Sequence, residues 1–200
     1  MCGRYTLYSE KEDREIKRIV DEVNKKFNTQ IKKGAILPTD LAPIICRDQS
    51  DKDSCILDLM NWGYDNPFKK GLIINARSET VMEKQLFRQD FITRRCLVPA
   101  AGFYESDSQK NQHLFSTEQI LYLAGIYKSF NEVNKFVILT KSPTTVVAEV
   151  HNRMPVIIPQ NMKSSWLNDL SIATELIKQD SVSLIEKACD NTQLRFPLDL

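Results

Sequence analysis

Apolar residues recur at Ile16, Ile19, Val20, Val23 and Phe27, the spacing of one helical face, and Ser9 with Glu12 has the form of a capping box ahead of them. The pattern predicts an amphipathic helix over residues 10–27. Its period is then lost. Residues 34–43, punctuated by Pro38 and Pro43, read as a loop. Residues 42–46 and 54–62 read as strands, the second ending at Trp62-Gly63. A turn-rich stretch, 64–71, leads into the apolar run Leu72-Ile73-Ile74, a short strand that delivers Asn75. Residues 80–91 are expected to be helical. Cys96-Leu97-Val98 reads as a strand broken by Pro99, with Gly102-Phe103-Tyr104-Glu105 after it. Residues 120–130 and 135–139 predict a hairpin about the polar turn 131–134. Ser142 as N-cap and Pro143 in the first turn open a short helix that runs to residue 150 and ends at His151. Val156-Ile157-Ile158 is a strand closed by Pro159. Residues 160–170 and 172–188 are expected to be helical, with an irregular tail. Strands outnumber helices and come in runs, which points to an α+β fold with mostly antiparallel pairing.

Composition narrows the function classes. With 200 residues and 42% hydrophobic content, the chain suits one domain over residues 1–200. The net charge of +1 excludes a globally polycationic protein, so nucleic-acid binding would need a local patch. No apolar run approaches the roughly 20 residues that span a bilayer. Glu10-Lys11-Glu12-Asp13-Arg14 leaves no room for a signal peptide, and an intracellular location is expected. Cys46, Cys55, Cys96 and Cys189 match no zinc spacing and are expected to be reduced and mostly buried. With His113 and His151 the only histidines, no metal site is expected.

Cys2 is the position with unusual chemistry. A small residue after the initiator permits removal of Met1, which would leave an α-amine and a thiol on one residue. Their ordinary pKa values, roughly 8 and 8.5, put both near reactivity at neutral pH. Such a pair condenses with an aldehyde to an imine and closes through sulfur to a five-membered thiazolidine. The plainer reading is a chance cysteine on a frayed terminus. Three other polar clusters end apolar runs: Asn75-Ala76-Arg77-Ser78-Glu79, Gly102-Phe103-Tyr104-Glu105 and His151-Asn152-Arg153-Met154-Pro155. Glu105, drawn into a pocket, would serve as general acid or base; otherwise it is a strand-edge carboxylate. His151 at a helix end would hold its proton readily, or is a structural histidine. Asn75 could orient an amine, or end a strand. Arg4 and Arg77 could fork phosphates, or sit in water. Lys69, Lys70, Arg94, Arg95 and Arg153, interleaved with Trp62, Phe68 and Tyr104, would suit single-stranded nucleic acid, or form an ordinary charged face.

Together, Met1-Cys2-Gly3-Arg4-Tyr5, Trp62-Gly63, Asn75-Ala76-Arg77-Ser78-Glu79-Thr80, the run from Arg95 through Pro99 to Glu105, and His151-Asn152-Arg153-Met154-Pro155-Val156 occur in an order that closely resembles the SRAP family, the SOS-response-associated peptidases. The resemblance covers residue 2 to about residue 160. It implies an abasic-site processing protein with no metal or cofactor. Cys2, as the processed N-terminus, would crosslink to the opened sugar of an abasic site in single-stranded DNA. Asn75 would position its amine, Glu105 would move protons in ring opening and imine formation, and His151 would sit by the sugar hydroxyl and 3′ phosphate. Thr140 occupies the place of a family active-site threonine. Arg4 and Arg77 correspond to phosphate grips; Trp62, Phe68, Pro38 and Arg153 fall on the DNA-binding side. The resemblance also implies lyase and self-processing capacities. The expected architecture is a curved, barrel-like sheet with flanking helices, and the expected state is an intracellular monomer, nucleoid-associated when on DNA.

The chain departs from the family pattern in places. Ser106 replaces a tryptophan after Gly-Phe-Tyr-Glu, Phe68 stands for a second tryptophan after Trp62-Gly63, and the loop before Pro38 reads Ala35-Ile36-Leu37. These changes bear on DNA affinity rather than on the chemical groups. Two rivals remain: an N-terminal-nucleophile peptidase or amidohydrolase using Cys2, His151 and Asn75, and a non-covalent single-stranded DNA-binding module.

Overall fold

The computed structural model describes residues 2–7, 13–32, 34–48, 50–51, 54–179 and 182–189. Strand β1 (Arg4–Thr6) leads to helix α1 (Arg14–Phe27), then β2 (Ala35–Ile36), β3 (Leu41–Arg47), β4 (Cys55–Trp62), the small hairpin of β5 (Tyr64–Asp65) and β6 (Leu72–Ile73), and β7 (Asn75–Arg77). A 3₁₀ turn at Ser78–Thr80 precedes α2 (Gln85–Thr93), β8 (Arg95–Ser106), β9 (Gln112–Phe130), β10 (Val133–Lys141) and α3 (Thr145–Ala148). Then come β11 (Met154–Pro155), β12 (Ile157–Ile158), a second 3₁₀ turn, α4 (Lys163–Asn168), α5 (Leu170–Leu176) and β13 (Ile185–Ala188).

Strand pairing runs β9–β10–β4–β3–β8 and returns from β8 to β9, so these strands close into a small barrel with the others added outside it. The α+β, barrel-like expectation holds. Pairing is antiparallel except where β10 meets β4 and β7, with Phe136 opposite Trp62 and Ile138 opposite Asn75. Aromatic rings fill the core. Trp62 is fully buried, with its ring centroid 5.3 Å from Tyr5 and 6.2 Å from Phe136, and Phe103 lies 5.3 Å from Phe115. Gly63 follows at φ +113°, a conformation glycine adopts without steric cost, and its N–H bonds Phe136 O at 2.8 Å.

Helix α1 buries Ile16, Ile19, Val20 and Val23, each contributing about 1.5–3 kcal/mol. Its start differs from the expectation. Asp13 is the N-cap, its carboxylate accepting the N–H groups of Glu15 and Ile16, so the helix begins four residues later than predicted. The Ser9/Glu12 capping box lies outside the described residues. Asn28, left-handed at φ 46°, ends the helix.

Pro99 does not break its strand. Strand β3 pairs with Cys96 and Leu97 and β1 with residues 102–104, so between them β8 has only β9 beside it. A missing N–H is tolerated there. The hairpin turn is tighter than predicted. Val133 pairs with Phe130, leaving Asn131 (φ 47°) and Glu132 (φ 69°) as a two-residue primed turn that matches the twist of the strands. Strand β9 also starts at Gln112, well before residue 120. The expected 80–91 helix is a 3₁₀ turn followed by α2, and the 34–43 loop contains β2. Helix α3 is shorter than predicted and is capped at Thr144 with no side-chain cap bond, so Ser142 does not serve. The expected helix 172–188 ends at Leu176, and β13 pairs instead with the outer part of β9, from Ile185 opposite Ser116 to Ala188 opposite His113. A tertiary partner decides that segment: β9 offers an open edge there, which local sequence cannot reveal.

Arg95 is structural rather than a phosphate contact. It is 5% exposed and donates to the carbonyls of Phe91, Ile92, Trp166 and Leu167, tying the ends of α2 and α4 to β8. Burial lowers its pKa to about 10, which still leaves it charged at neutral pH. Arg94 is paired with the buried Asp90. Among the other cysteines, Cys46 and Cys96 are buried, Cys189 is half-buried and Cys55 is exposed; all are free thiols. No described helix is long and apolar enough to cross a membrane.

Candidate active site

The β8–β9 ladder changes register between Ala100 and Gly102. Gly102 permits the close approach: a Cβ there would lie 2.8 Å from Phe115 O. Beyond that shift the side chains of β8 alternate, with Phe103 and Glu105 buried and Tyr104 and Ser106 half-exposed. Strand β1 runs antiparallel along this stretch, Arg4 opposite Tyr104, and so carries Cys2 back towards Glu105.

Cys2 is completely buried, and Asn75 Nδ2 donates to its carbonyl at 2.8 Å. The thiol contacts Arg4 O at 3.7 Å. Asn75 is in place because β7 lies parallel to β10. Its Oδ1 is buried without a hydrogen-bond partner, a condition that costs about 1–3 kcal/mol. Burial, and next the negative charge of Glu105, push the Cys2 thiol far up, so it stays protonated. Glu105 is 5% exposed, and burial raises its pKa; His151 opposes that rise. Glu105 Oε2 lies 3.6 Å from His151 Nδ1. The same nitrogen accepts the Arg153 N–H at 3.1 Å and lies 3.2 Å from Arg153 O.

The fold therefore brings Cys2, Asn75, Glu105 and His151 together from four separate segments. The arrangement offers a protonated thiol, an amide that grips residue 2 and a carboxylate able to hold a proton. Thr140 is buried at the end of β10, opposite Arg77 in register. Its carbonyl and, at 3.3 Å, its hydroxyl accept from Arg153 Nη2.

The residues expected on the DNA side divide. Arg4 is half-exposed with its guanidinium 5.8 Å above the Tyr104 ring, and Arg77 is exposed. Phe68 is 84% exposed on the β5–β6 hairpin, and Pro38 is half-exposed. Trp62 has no exposed face: it is a core residue whose indole N–H donates to Ile74 O at 2.9 Å. The Arg153 side chain is 14% exposed, and its guanidinium forks onto Glu79 at 2.6 and 2.9 Å. Ser106, where a stacking ring was absent, bonds Gln112 across the strand pair. Glu79 had no role on the sequence although it lies within the Asn75–Thr80 motif; a carboxylate two residues from the candidate grip Arg77 was the available signal. Among the described residues, no group of three or more His, Cys, Asp or Glu side chains is placed to hold a metal ion.

A buried cysteine at residue 2 beside a buried carboxylate, which in turn meets a histidine, marks an α+β barrel protein with a candidate reactive thiol. The family model for SOS response associated peptidase (SRAP) matches residues 1–194, and the chain belongs to that family. It is 29% identical over 197 residues to abasic site processing protein YoaM of Bacillus subtilis (strain 168), spanning 89% of this chain and 84% of that protein. It is 31% identical over 189 residues to YoqW of the same organism, another abasic site processing protein, spanning 84% and 80%. The mouse abasic site processing protein HMCES is 26% identical over 184 residues, with 52% of its length spanned. A crystal structure of a Bacteroides thetaiotaomicron protein superposes with a TM-score of 0.77 at 21% identity, covering 99% of this chain and 97% of that one.

Proposed function

We propose that this protein processes abasic sites in DNA by joining covalently to single-stranded DNA through Cys2. The observation that carries the reading is the placement of Cys2: buried, gripped by Asn75 and adjacent to a carboxylate of raised proton affinity. Membership of a family whose relatives are called abasic site processing proteins supports it.

Removal of Met1 creates the reacting amine. Asn75 already donates to the carbonyl of residue 2, and its unpaired Oδ1 is an acceptor available to that amine. The ring-opened sugar presents an aldehyde at C1. The amine adds to this carbon, and water leaves as the imine forms. Glu105 in its protonated form supplies the proton that the departing oxygen needs, and as carboxylate it accepts one from the thiol. The Cys2 sulfur then bonds to the imine carbon, the imine nitrogen takes up a proton, and a thiazolidine results. Arg77 and Phe68, both exposed, and the half-exposed Arg4 would engage phosphates and a base. The lyase and self-processing activities suggested by the family would draw on the same groups.

A hydrolase would need a ready thiolate, whereas burial and Glu105 push Cys2 the opposite way. The test is a denaturing gel. Processed protein incubated with single-stranded DNA carrying one abasic site gives a heat-stable adduct, and Cys2→Ala gives none. An adduct that forms equally without Cys2, or no adduct at all, would sink the proposal.

A further inference from the structure

Cys46 and Cys96 take no part in the chemistry proposed for Cys2, and the fold sets them face to face. They occupy directly opposite positions on the antiparallel strands β3 and β8. Directly opposed residues of such a pair project to the same face, with Cα atoms about 4.5–5.5 Å apart. A disulfide spans Cα separations of about 4.4–6.8 Å, so the backbone already meets its requirement. Both side chains are buried, at 1% and 0% exposure, and both are free thiols. The Cys96 sulfur lies over Gly125 of β9, where a Cβ would meet it at 2.8 Å, so bonding to Cys46 draws it towards β3.

The seam between β3 and β8 is short. Ile45 opposite Leu97 and Cys46 opposite Cys96 are its two residue pairs, whereas β3 meets β4 all along its length, from Leu41 to Arg47. Cys46 is next to the end of β3, and Ile56, opposite it on β4, is 40% exposed. Parting two pairs at a strand end is a local opening that leaves the rest of the fold in place. Burial pushes both thiols up, so in the closed seam they stay protonated and unreactive.

We propose that Cys46 and Cys96 are a redox-modification site, oxidised by a low-molecular-weight disulfide to an intrachain bond across the β3–β8 seam. In the opened seam the Cys46 thiol gives up its proton, and its sulfur bonds to one sulfur of the small disulfide. The S–S bond of that molecule breaks, and its other half leaves and takes up a proton. Cys96 then loses its proton, its sulfur bonds to that of Cys46, and the second half of the small molecule leaves as a thiol. Two protein thiols are oxidised, one small disulfide is reduced to two thiols, and the two protons pass from the former to the latter. The bond closes a loop of about 50 residues and so restricts the unfolded chain. Cys2 remains a thiol throughout, and the proposal does not depend on the reading of that residue.

The experiment incubates the folded full chain with oxidised glutathione, blocks the remaining thiols with iodoacetamide in denaturant, and maps the cysteines by peptide mass spectrometry. The expected product is a peptide pair joined through Cys46 and Cys96 that separates on treatment with dithiothreitol, with Cys2 recovered alkylated. Thermal unfolding of the oxidised protein is expected to shift upward by about 5 °C or more, and to return to the starting value on reduction. Cys46→Ala, the milder of the two possible substitutions because Cys46 lies near a strand end, is expected to show neither the joined peptides nor the shift. Recovery of Cys46 and Cys96 both alkylated, with glutathione captured on the exposed Cys55 alone, overturns the proposal. So does a joined pair that forms only in urea, a link that runs through Cys2 or Cys189, or a Tm shift that persists in Cys46→Ala.

Discussion

His113 and His151 both stand against carboxylates near the same stretch of β8, and their surroundings differ in kind. His113 is directly opposite Glu105 in the β8–β9 register, bonded to Glu186 at 2.7 Å through Nδ1 and 3.4 Å from Asp107 through Nε2. Both its ring nitrogens have acidic partners, and Asp107 is itself held below its ordinary pKa, chiefly by Asn111. The cluster fastens β13 to β9. His151 lies 3.6 Å from the carboxylate of Glu105, which is buried, with its proton affinity raised. A satisfied cluster steadies a strand; a desolvated carboxyl beside a thiol stores the capacity to move a proton. The aromatic residues divide likewise: Trp62 is locked in the core, and Phe68 stands 84% exposed.

Exchanging these roles is the hardest test. Glu105→Gln is expected to slow adduct formation by about 10²–10⁴-fold, the usual range for a lost proton-transfer group. His113→Gln should leave that rate within about twofold, as its bonds lie outside the reacting groups. Equal losses in the two variants, measured by single-turnover gels, would erase the distinction. Stability should move in opposite directions. Because burial raises the pKa of Glu105, its contribution to stability is fullest below the ordinary value of 4.5 and is lost as pH rises through the raised one. Glu105→Gln should therefore have the higher Tm at neutral pH, with the gap closing as pH falls past 4.5.

The aromatic contrast predicts next. Trp62→Ala should destabilise the fold by about 3–5 kcal/mol in urea titrations, the cost of emptying a large core site. Phe68→Ala should leave stability unchanged and weaken single-stranded DNA binding by about 1–3 kcal/mol, the worth of one stacked base. Weakened DNA binding by a folded Trp62→Phe would contradict the placement of that ring. The smallest effect belongs to the strand fastening. His113→Gln should cost about 1 kcal/mol, a typical net hydrogen-bond value, and raise amide exchange in residues 185–188.

Much of the barrel was legible because it is written in short periods. The apolar run of β3, the partial alternation of β4 and the helical spacing of α1 needed only neighbouring residues. Misplaced boundaries came where a distant partner overruled local preference: Pro99 lies in a strand because one side of it is open, and residues 185–188 are a strand because β9 has an edge to fill. The chemical groups at Cys2, Asn75, Glu105 and His151 were marked by ordered motifs, since reactive side chains must keep their identity. What each could do was not marked. Burial separates Trp62 from Phe68, and bonds to Glu79 and Thr140 hold the Arg153 guanidinium. The sequence determined which residue types exist and which faces were apolar. The tertiary structure decided which of them lost water and which met each other, and desolvation and distance are what give a carboxylate at residue 105 a different chemistry from one at residue 186.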